Sequence, residues 1–285
     1  KHVKIILFND KPSSGPLASS FEKDRVLPRL QALDSKARRK GLASLDPQRN
    51  PLIGIGMELD PSSAVTKNGY GVFRLGWLAG QRNGWPAMIH SELDEIAAAI
   101  RQCHGAKVRF LIWAGMGGSA EDKSMYEACG LLKKGPRVYV LDSTDPAKLK
   151  GILADITKRS KGDMAGALKS TLIVGMAMGM TSYEPVVNLE KLTRLYDRYG
   201  VDGRPNFLYM TLPGSLLDQF AGPRGFRRVE LQPDGANTTA GRHSSPLTRG
   251  SLYPLALAGV DLEQWVAGAA LDAPQIHTAW ALSAF

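Results

Sequence analysis

The sequence predicts an α/β protein: a doubly wound, mainly parallel five-stranded sheet flanked by helices, preceded by a mostly helical extension. Three observations carry this expectation. From about residue 105 onward, short apolar β-rich runs alternate with helical segments, as strands covered on both faces do. One of these runs, residues 107–119 (KVRFLIWAGMGGS), ends abruptly in glycines before a serine opens a helix. Before residue 105 that alternation is absent, and the clear apolar periods are helical.

Taken in order, residues 1–20 start with a strand-like VKIILF and turn polar, rich in Pro, Ser and Gly. Residues 21–40 place Val26, Leu27, Leu30 and Leu33 on one side of an amphipathic helix. Residues 41–70 are rich in Pro, Gly and Asn without a period, and 71–86 are aromatic and turn-rich, with Trp77 and Trp85 reading as core anchors. Across 86–103, Met88, Ile89, Leu93, Ile96 and Ile100 line one face of a helix. Strands are expected at 107–113, 137–142, 171–176, 206–210 and 226–231. Helices are expected near 119–134, 145–159, 182–200, 213–221, 250–258, 261–271 and 274–285. Right-handed crossovers then place any ligand at the carboxyl ends of the strands. The domain expectation is an N-terminal helical and irregular extension over 1–105 and an α/β domain over 106–285.

A chain of 285 residues suits one large domain or two modest ones, and its 44% hydrophobic content supports a sizeable core. The net charge of +9 favours anionic partners. The basic residues are scattered, however, and the densest cluster (Lys36, Arg38, Arg39, Lys40) reads as a solvated helix face. No aromatic-interleaved basic stripe suggests nucleic-acid binding, and no run is long enough to span a membrane. Cys103 and Cys129 form neither a disulfide framework nor a metal spacing, and the five histidines are dispersed. The expectation is a cytoplasmic protein with no metal and no cofactor. The chain begins with Lys and stops at Phe285 while still reading as helix, so a piece of a longer protein is expected.

The stretch at 107–119 delivers backbone N–H groups and a helix N-terminus, the usual provision for an anion. Three readings compete. Gly115, Gly117 and Ala120 satisfy a permissive dinucleotide fingerprint, with Asp142 near the ribose position; yet the third glycine is missing, and residues 143–146 (STDP) read as a loop and helix cap. Ser119, with Glu121 and Asp122 behind it, also reads as an ordinary cap. The third reading makes Ser119 a phosphate ligand. A second loop, 177–182 (AMGMTS), offers Thr181 and Ser182 either as caps or as anion ligands, while Met178 and Met180 read as packing. A third, polar loop presents Gly241, Arg242 and His243 ahead of an apolar helix. An arginine there is either structural or a stabiliser of negative charge developing on a substrate oxygen.

Together these motifs resemble the phosphoglucose isomerase (glucose-6-phosphate isomerase) family, built on the sugar isomerase (SIS) fold. The family's glycine-glycine-serine loop is matched by GMGGSA at 115–120, and its aspartate-containing turn by LDSTDP at 141–146. Its hydroxyl-rich phosphate loop is matched by MTSYEP at 180–185, and its GGRFS-type motif by AGRHSS at 240–245, leading into LALAGVD at 255–261. The resemblance covers roughly residues 70–285 and makes 106–285 the first SIS domain. It implies aldose–ketose isomerisation of glucose 6-phosphate and fructose 6-phosphate through an enediolate, without a cofactor, in glycolysis and gluconeogenesis. It implies that Ser119, Thr181 and Ser182 face the substrate phosphate. It further implies that Gly117, Gly118, Gly241 and His243 lie beside the sugar and that Arg242 steadies the enediolate. A homodimer, or pairing with a further C-terminal domain, is the implied assembly. The base and the ring-opening group of the family lie downstream of the arginine motif, so this chain alone is expected to be weakly active or inactive.

Two departures from the family pattern set further expectations. Ala177, Met178 and Gly179 stand where the family has a serine-lysine-serine/threonine start, so Lys123 or Arg249 is a candidate to supply the missing charge. Glu121 and Asp122 put negative charge beside the glycine loop and are compatible with an anion only if both point away. Two alternatives to an isomerase stand beside it: a phosphosugar-binding module without catalysis, and a dinucleotide-dependent oxidoreductase.

Overall fold

Trp85, Ile89, Leu93, Ile96 and Ile100 recur at helical spacing and are all buried, which explains helix α1 (Trp85–His104). Pro86 occupies its first turn, and Gly105, in the left-handed region at φ 67°, ends it with an N–H bond to the Arg101 carbonyl. In this computed structural model the described residues are 84–233 and 245–268, with isolated positions between 23 and 39. The expectations for residues 1–20 and 41–83, for most of the 21–40 helix, and for 274–285 lie outside them.

Five strands follow: β1 (Phe110–Ala114), β2 (Arg137–Leu141), β3 (Thr171–Met176), β4 (Phe207–Met210) and β5 (Arg227–Arg228). They form one parallel sheet in the order β2-β1-β3-β4-β5. The doubly wound expectation holds. Side chains alternate between faces as a strand's period of two requires. Leu111, Trp113, Leu172, Val174, Met176, Leu208 and Met210 belong to one core. Phe110, Ile112, Ala114, Ile173, Phe207 and Tyr209 belong to the other.

Helices cover both faces. With α1 on the first face lie α2 (Glu121–Ala128), α7 (Arg249–Leu257) and α8 (Leu262–Ala267). On the second lie α3 (Pro146–Arg159), α4 (Met164–Lys169), α5 (Glu184–Arg198) and α6 (Leu216–Ala221). Although α1 falls within the expected N-terminal extension, it packs on the same core as β1, β3 and α7. Among the described residues no helix is long and apolar enough to cross a membrane.

Local differences have identifiable causes. The helix expected over 119–134 stops at Ala128, where Gly130 turns left-handed at φ 77°. The short α4 was not anticipated; its signal was Asp163, whose carboxylate accepts the Gly166 N–H at 2.8 Å. The strand expected over 226–231 pairs only through Arg227 and Arg228, both exposed. Beyond them the Val229 N–H still reaches the Tyr209 carbonyl at 2.9 Å, but Val229 and Leu231 turn into the core.

Candidate functional site at the strand carboxyl ends

With β2 on one side of β1 and β3 on the other, the chain reverses its direction of travel across the sheet between β1 and β3. This is the topological switch point, where doubly wound sheets open a ligand crevice. Ala114 of β1 pairs with Gly175 of β3, so the loops leaving these strands, 115–120 and 177–182, start side by side. They are the two loops singled out by sequence.

The first loop is a tight turn. A 3-10 turn spans Gly117–Ser119, and Gly117 sits at φ 52°, where a side chain would be strained. A Cβ at Gly115 would lie 2.9 Å from the Ser119 carbonyl oxygen, so this close approach requires glycine. The Ser119 N–H donates to Met116 and the Ala120 N–H to Gly117. The amides of Gly117 and Gly118 are not spent on such backbone bonds among the described residues. From beneath, the Trp113 indole N–H donates to the Ser119 carbonyl at 2.9 Å.

The structure corrects the capping readings of both loops. The residue capping α2 is Ala120, without a side-chain bond, so Ser119 does not serve as the cap. Likewise the residue capping α5 is Tyr183, again without a side-chain bond, so neither Thr181 nor Ser182 caps that helix. Ser119 is 4% exposed, Ser182 half-buried and Thr181 exposed. The second loop is tied to the next strand: the Ala177 N–H donates to Met210, and the Leu216 N–H to Met180. A Cβ at Gly175 would lie 2.5 Å from Leu189 Cδ1; glycine here lets α5 approach the sheet.

The charged residues behind the first loop resolve two expectations. Asp122 points away from the crevice side of the turn, into a buried network. Its carboxylate accepts from Lys123 Nζ at 2.7 Å and from the Ser251 hydroxyl at 2.8 Å, and the Tyr126 hydroxyl donates to Ser251 at 3.2 Å. Glu121 is exposed. Lys123 is fully buried, 4.9 Å from the Trp113 ring centroid and 3.9 Å from Met176 Sδ. Burial lowers its ammonium to about 8, against the opposing pull of Asp122. Arg249 is committed elsewhere. It holds the Glu92 carboxylate through Nε and Nη2 at 2.7–3.1 Å and donates to the Glu230 and Gln232 carbonyls at 3.0 Å. Neither residue is placed to replace the missing lysine of the second loop.

Asp142 directly follows β2 and pairs with Lys148, while Asp145 caps α3 by accepting the Ala147 N–H at 2.8 Å. The 141–146 turn is therefore a loop and cap, as expected. It is braced by α5, where Asn188 and Lys191 donate to the Ser143 and Thr144 carbonyls at 3.2 and 2.8 Å. Gly241, Arg242 and His243 lie outside the described residues. The helix their segment leads into does not: α7 packs its first turn close to β3, and a Cβ at Gly250 would lie 2.5 Å from Met176 Cε. Among the described residues no group of His, Cys, Asp and Glu could hold a metal ion. Cys103 and Cys129 are free and exposed.

Fold and crevice define a doubly wound α/β domain with its switch point between β1 and β3. In sequence the chain is related to the glucose-6-phosphate isomerases. It is 30% identical over 167 residues to that of Synechococcus sp. (strain JA-3-3Ab), an alignment covering 58% of this chain and 29% of the relative. It is 30% identical over 132 residues to that of Rippkaea orientalis, with 46% and 22% covered. It is 27% identical over 176 residues to that of Prochlorococcus marinus (strain MIT 9313), with 61% and 30% covered. The chain thus spans less than a third of the length of these relatives. No protein-family model matches it. Among solved structures, a hypothetical protein from Thermus thermophilus superposes with TM-score 0.49 at 20% identity, covering 82% of this chain and 55% of its own. A glucose-6-phosphate isomerase from Chlamydia trachomatis gives TM-score 0.45 at 23% identity, covering 63% and 32%.

Proposed function

We propose that the crevice between β1 and β3 is the phosphate end of a sugar-phosphate site, and that the reaction served is interconversion of glucose 6-phosphate and fructose 6-phosphate. The observation that carries this reading is the pair of hydroxyl-bearing junctions, at Ser119 and at Thr181–Ser182. They leave neighbouring strands at the switch point, and neither caps its helix. Hydroxyls and helix N-termini released from local duty are what a phosphate requires. The sequence relatives named glucose-6-phosphate isomerase support the same ligand class.

In this reading the hydroxyls of Ser119, Thr181 and Ser182 hold the phosphate. Gly117, Gly118, Gly241 and His243 lie beside the sugar, and Arg242 meets the charge of the enediolate formed as a proton moves between C2 and C1. Among the described residues none is assigned as the base. No cofactor takes part, and a cytoplasmic setting and a homodimer, or pairing with a further C-terminal domain, belong to the same reading.

A second reading has its own observation. Ala177 is buried and Met178 packs against the core, so the second loop has neither the charge nor all the hydroxyls of a full phosphate loop. This favours a phosphosugar-binding module without turnover. The dinucleotide alternative gains nothing from the geometry: the strand order is not that of the nicotinamide-binding sheet, and Asp142 is already paired.

Titration calorimetry with 6-phosphogluconate, alongside a coupled isomerase assay on glucose 6-phosphate, tests the site. Binding with turnover supports the isomerase; binding without turnover supports the sugar-phosphate site itself, since this chain alone is expected to turn over weakly or not at all. Absence of binding removes both.

A further inference from the structure

We propose a second anion site at the opposite edge of the sheet, an arginine-lined cleft that takes a phosphorylated metabolite through its charged groups. At the amino ends of β1 and β2, an open cavity of about 580 Å³ is lined by Val108, Arg109, Phe110, Pro136, Arg137 and Arg159. That volume falls within the range of metabolite pockets. Phe110 pairs with Arg137 across the first rung of the β1–β2 ladder, and Arg159 ends α3. Two strand starts and one helix end therefore bring three guanidinium groups to a single opening. The crevice described above lies at the carboxyl ends of the same strands.

The arginines are oriented by their surroundings. The Arg109 guanidinium lies over the Phe110 ring, 5.0 Å from its centroid, and that of Arg137 lies 5.6 Å from the Tyr139 centroid. The two rings are themselves neighbours at 6.4 Å. Arg159 is held through Nε by Asp155 at 2.7 Å, and Tyr139 donates to the same carboxylate oxygen at 2.8 Å. A guanidinium fixed by its face or by one edge keeps its other N–H groups in a fork suited to phosphate oxygens. Among the described residues the Arg109 guanidinium makes only a long 3.4 Å hydrogen bond, to the Arg159 carbonyl. Two carboxylates among them adjoin the three arginines: Asp155, and Glu127 at 3.5 Å from Arg137. One positive charge remains in excess. Val108, Phe110 and Pro136 add an apolar wall for the uncharged part of a ligand. Arginine forks beside an apolar wall fit a compact phosphorylated molecule.

The test uses the whole chain at about 0.15 M salt, where exposed charges more than about 8 Å apart are largely screened. Pyrophosphate and ADP are titrated as probes, the first supplying charge alone and the second charge with a ring. Binding of either probe, weakened about tenfold by Arg109→Gln or Arg159→Gln and unchanged by Arg194→Gln on exposed α5, supports the site. Tighter binding of ADP than of pyrophosphate additionally shows that the apolar wall is used. Thermal melts of each variant confirm that folding is retained. The proposal is overturned if neither probe binds, if Arg194→Gln weakens binding as much as the cleft substitutions, or if Ser119→Ala weakens it while the cleft substitutions do not. The last outcome places the probe in the carboxyl-end crevice, so failure here is distinct from failure of the isomerase reading.

Discussion

The indole N–H of Trp113 and the carbonyl oxygen of Ser119 lie 2.9 Å apart, and this buried bond fixes the glycine turn to the strand that precedes it. Lys123 lies against the same ring. Strand, turn and following helix thus meet at one side chain. The backbone at Ser119 is thereby tied to the core.

Because Ser119 is not a helix cap, Ser119→Ala is expected to leave the melting temperature nearly unchanged while weakening 6-phosphogluconate binding about tenfold or more, the worth of a hydrogen bond to a charged group. Ser182→Ala is expected to act in the same direction. A melting temperature that falls with binding intact would return Ser119 to a structural role.

The buried Lys123 makes a pH prediction. Its ammonium is lowered from the ordinary 10.5 to about 8, by burial and in spite of Asp122. Between those values the unfolded chain holds more protons than the folded one, so stability rises with pH through that window. The gain over the whole window is on the order of 3 kcal/mol. Tyr126, raised to about 12 chiefly by burial, opposes this above its ordinary value of 10.0. Urea midpoints between about pH 8 and 9.5 should therefore climb in the native chain and stay flat in the double variant Asp122→Asn, Lys123→Met. A flat native profile would contradict the burial.

Arg249 is predicted to be structural. Burial raises the Glu92 carboxyl, but hydrogen bonds from Arg249 and Tyr253 outweigh this and hold it below its ordinary value. Arg249→Met strands that carboxylate and is expected to cost about 3 kcal/mol. Adding Glu92→Gln should recover part of the loss. Urea unfolding of the two single variants and the double measures the coupling, and purely additive losses would contradict it.

Gly135→Ala tests the joint between β2 and α7. Gly135 sits at φ 81°, and a Cβ there would lie 1.9 Å from the Leu257 carbonyl oxygen. Neither backbone can yield cheaply, so a loss of about 2–4 kcal/mol is expected. A denaturation midpoint within error of the native chain would show that the joint is loose.

The sheet was readable in the sequence because its strands are buried on both faces: FLIWA and TLIVGM have no polar side except the terminal Thr171. The glycine turn was readable because only glycine tolerates the Gly115 and Gly117 geometry. What misled was chemistry borrowed by the tertiary fold. Ser119 precedes a helix and looks like a cap, yet Ala120 takes that position while the Ser119 carbonyl is drawn to Trp113. Lys123 follows two acids and reads as a candidate to supply the charge missing from the second loop, but α2 buries it against the Trp113 ring. Asp122 escapes the crevice by bonding Ser251, 129 residues away, a partner that no local pattern indicates. The two-residue β5 was overextended for a similar reason: Val229 and Leu231 are apolar because they enter the core, not because they pair.

That short final strand has an outcome for how copies of the molecule can meet. Among the described residues β5 is the outermost member of the sheet on its side, and it presents only Arg227 and Arg228, both exposed. A neighbouring chain seeking to extend the ladder there finds too few free amides and two like charges, which guard against edge-to-edge growth. Concentrated solutions are therefore protected on this flank from fibrous association, and any self-association on this side is left to the helical layers.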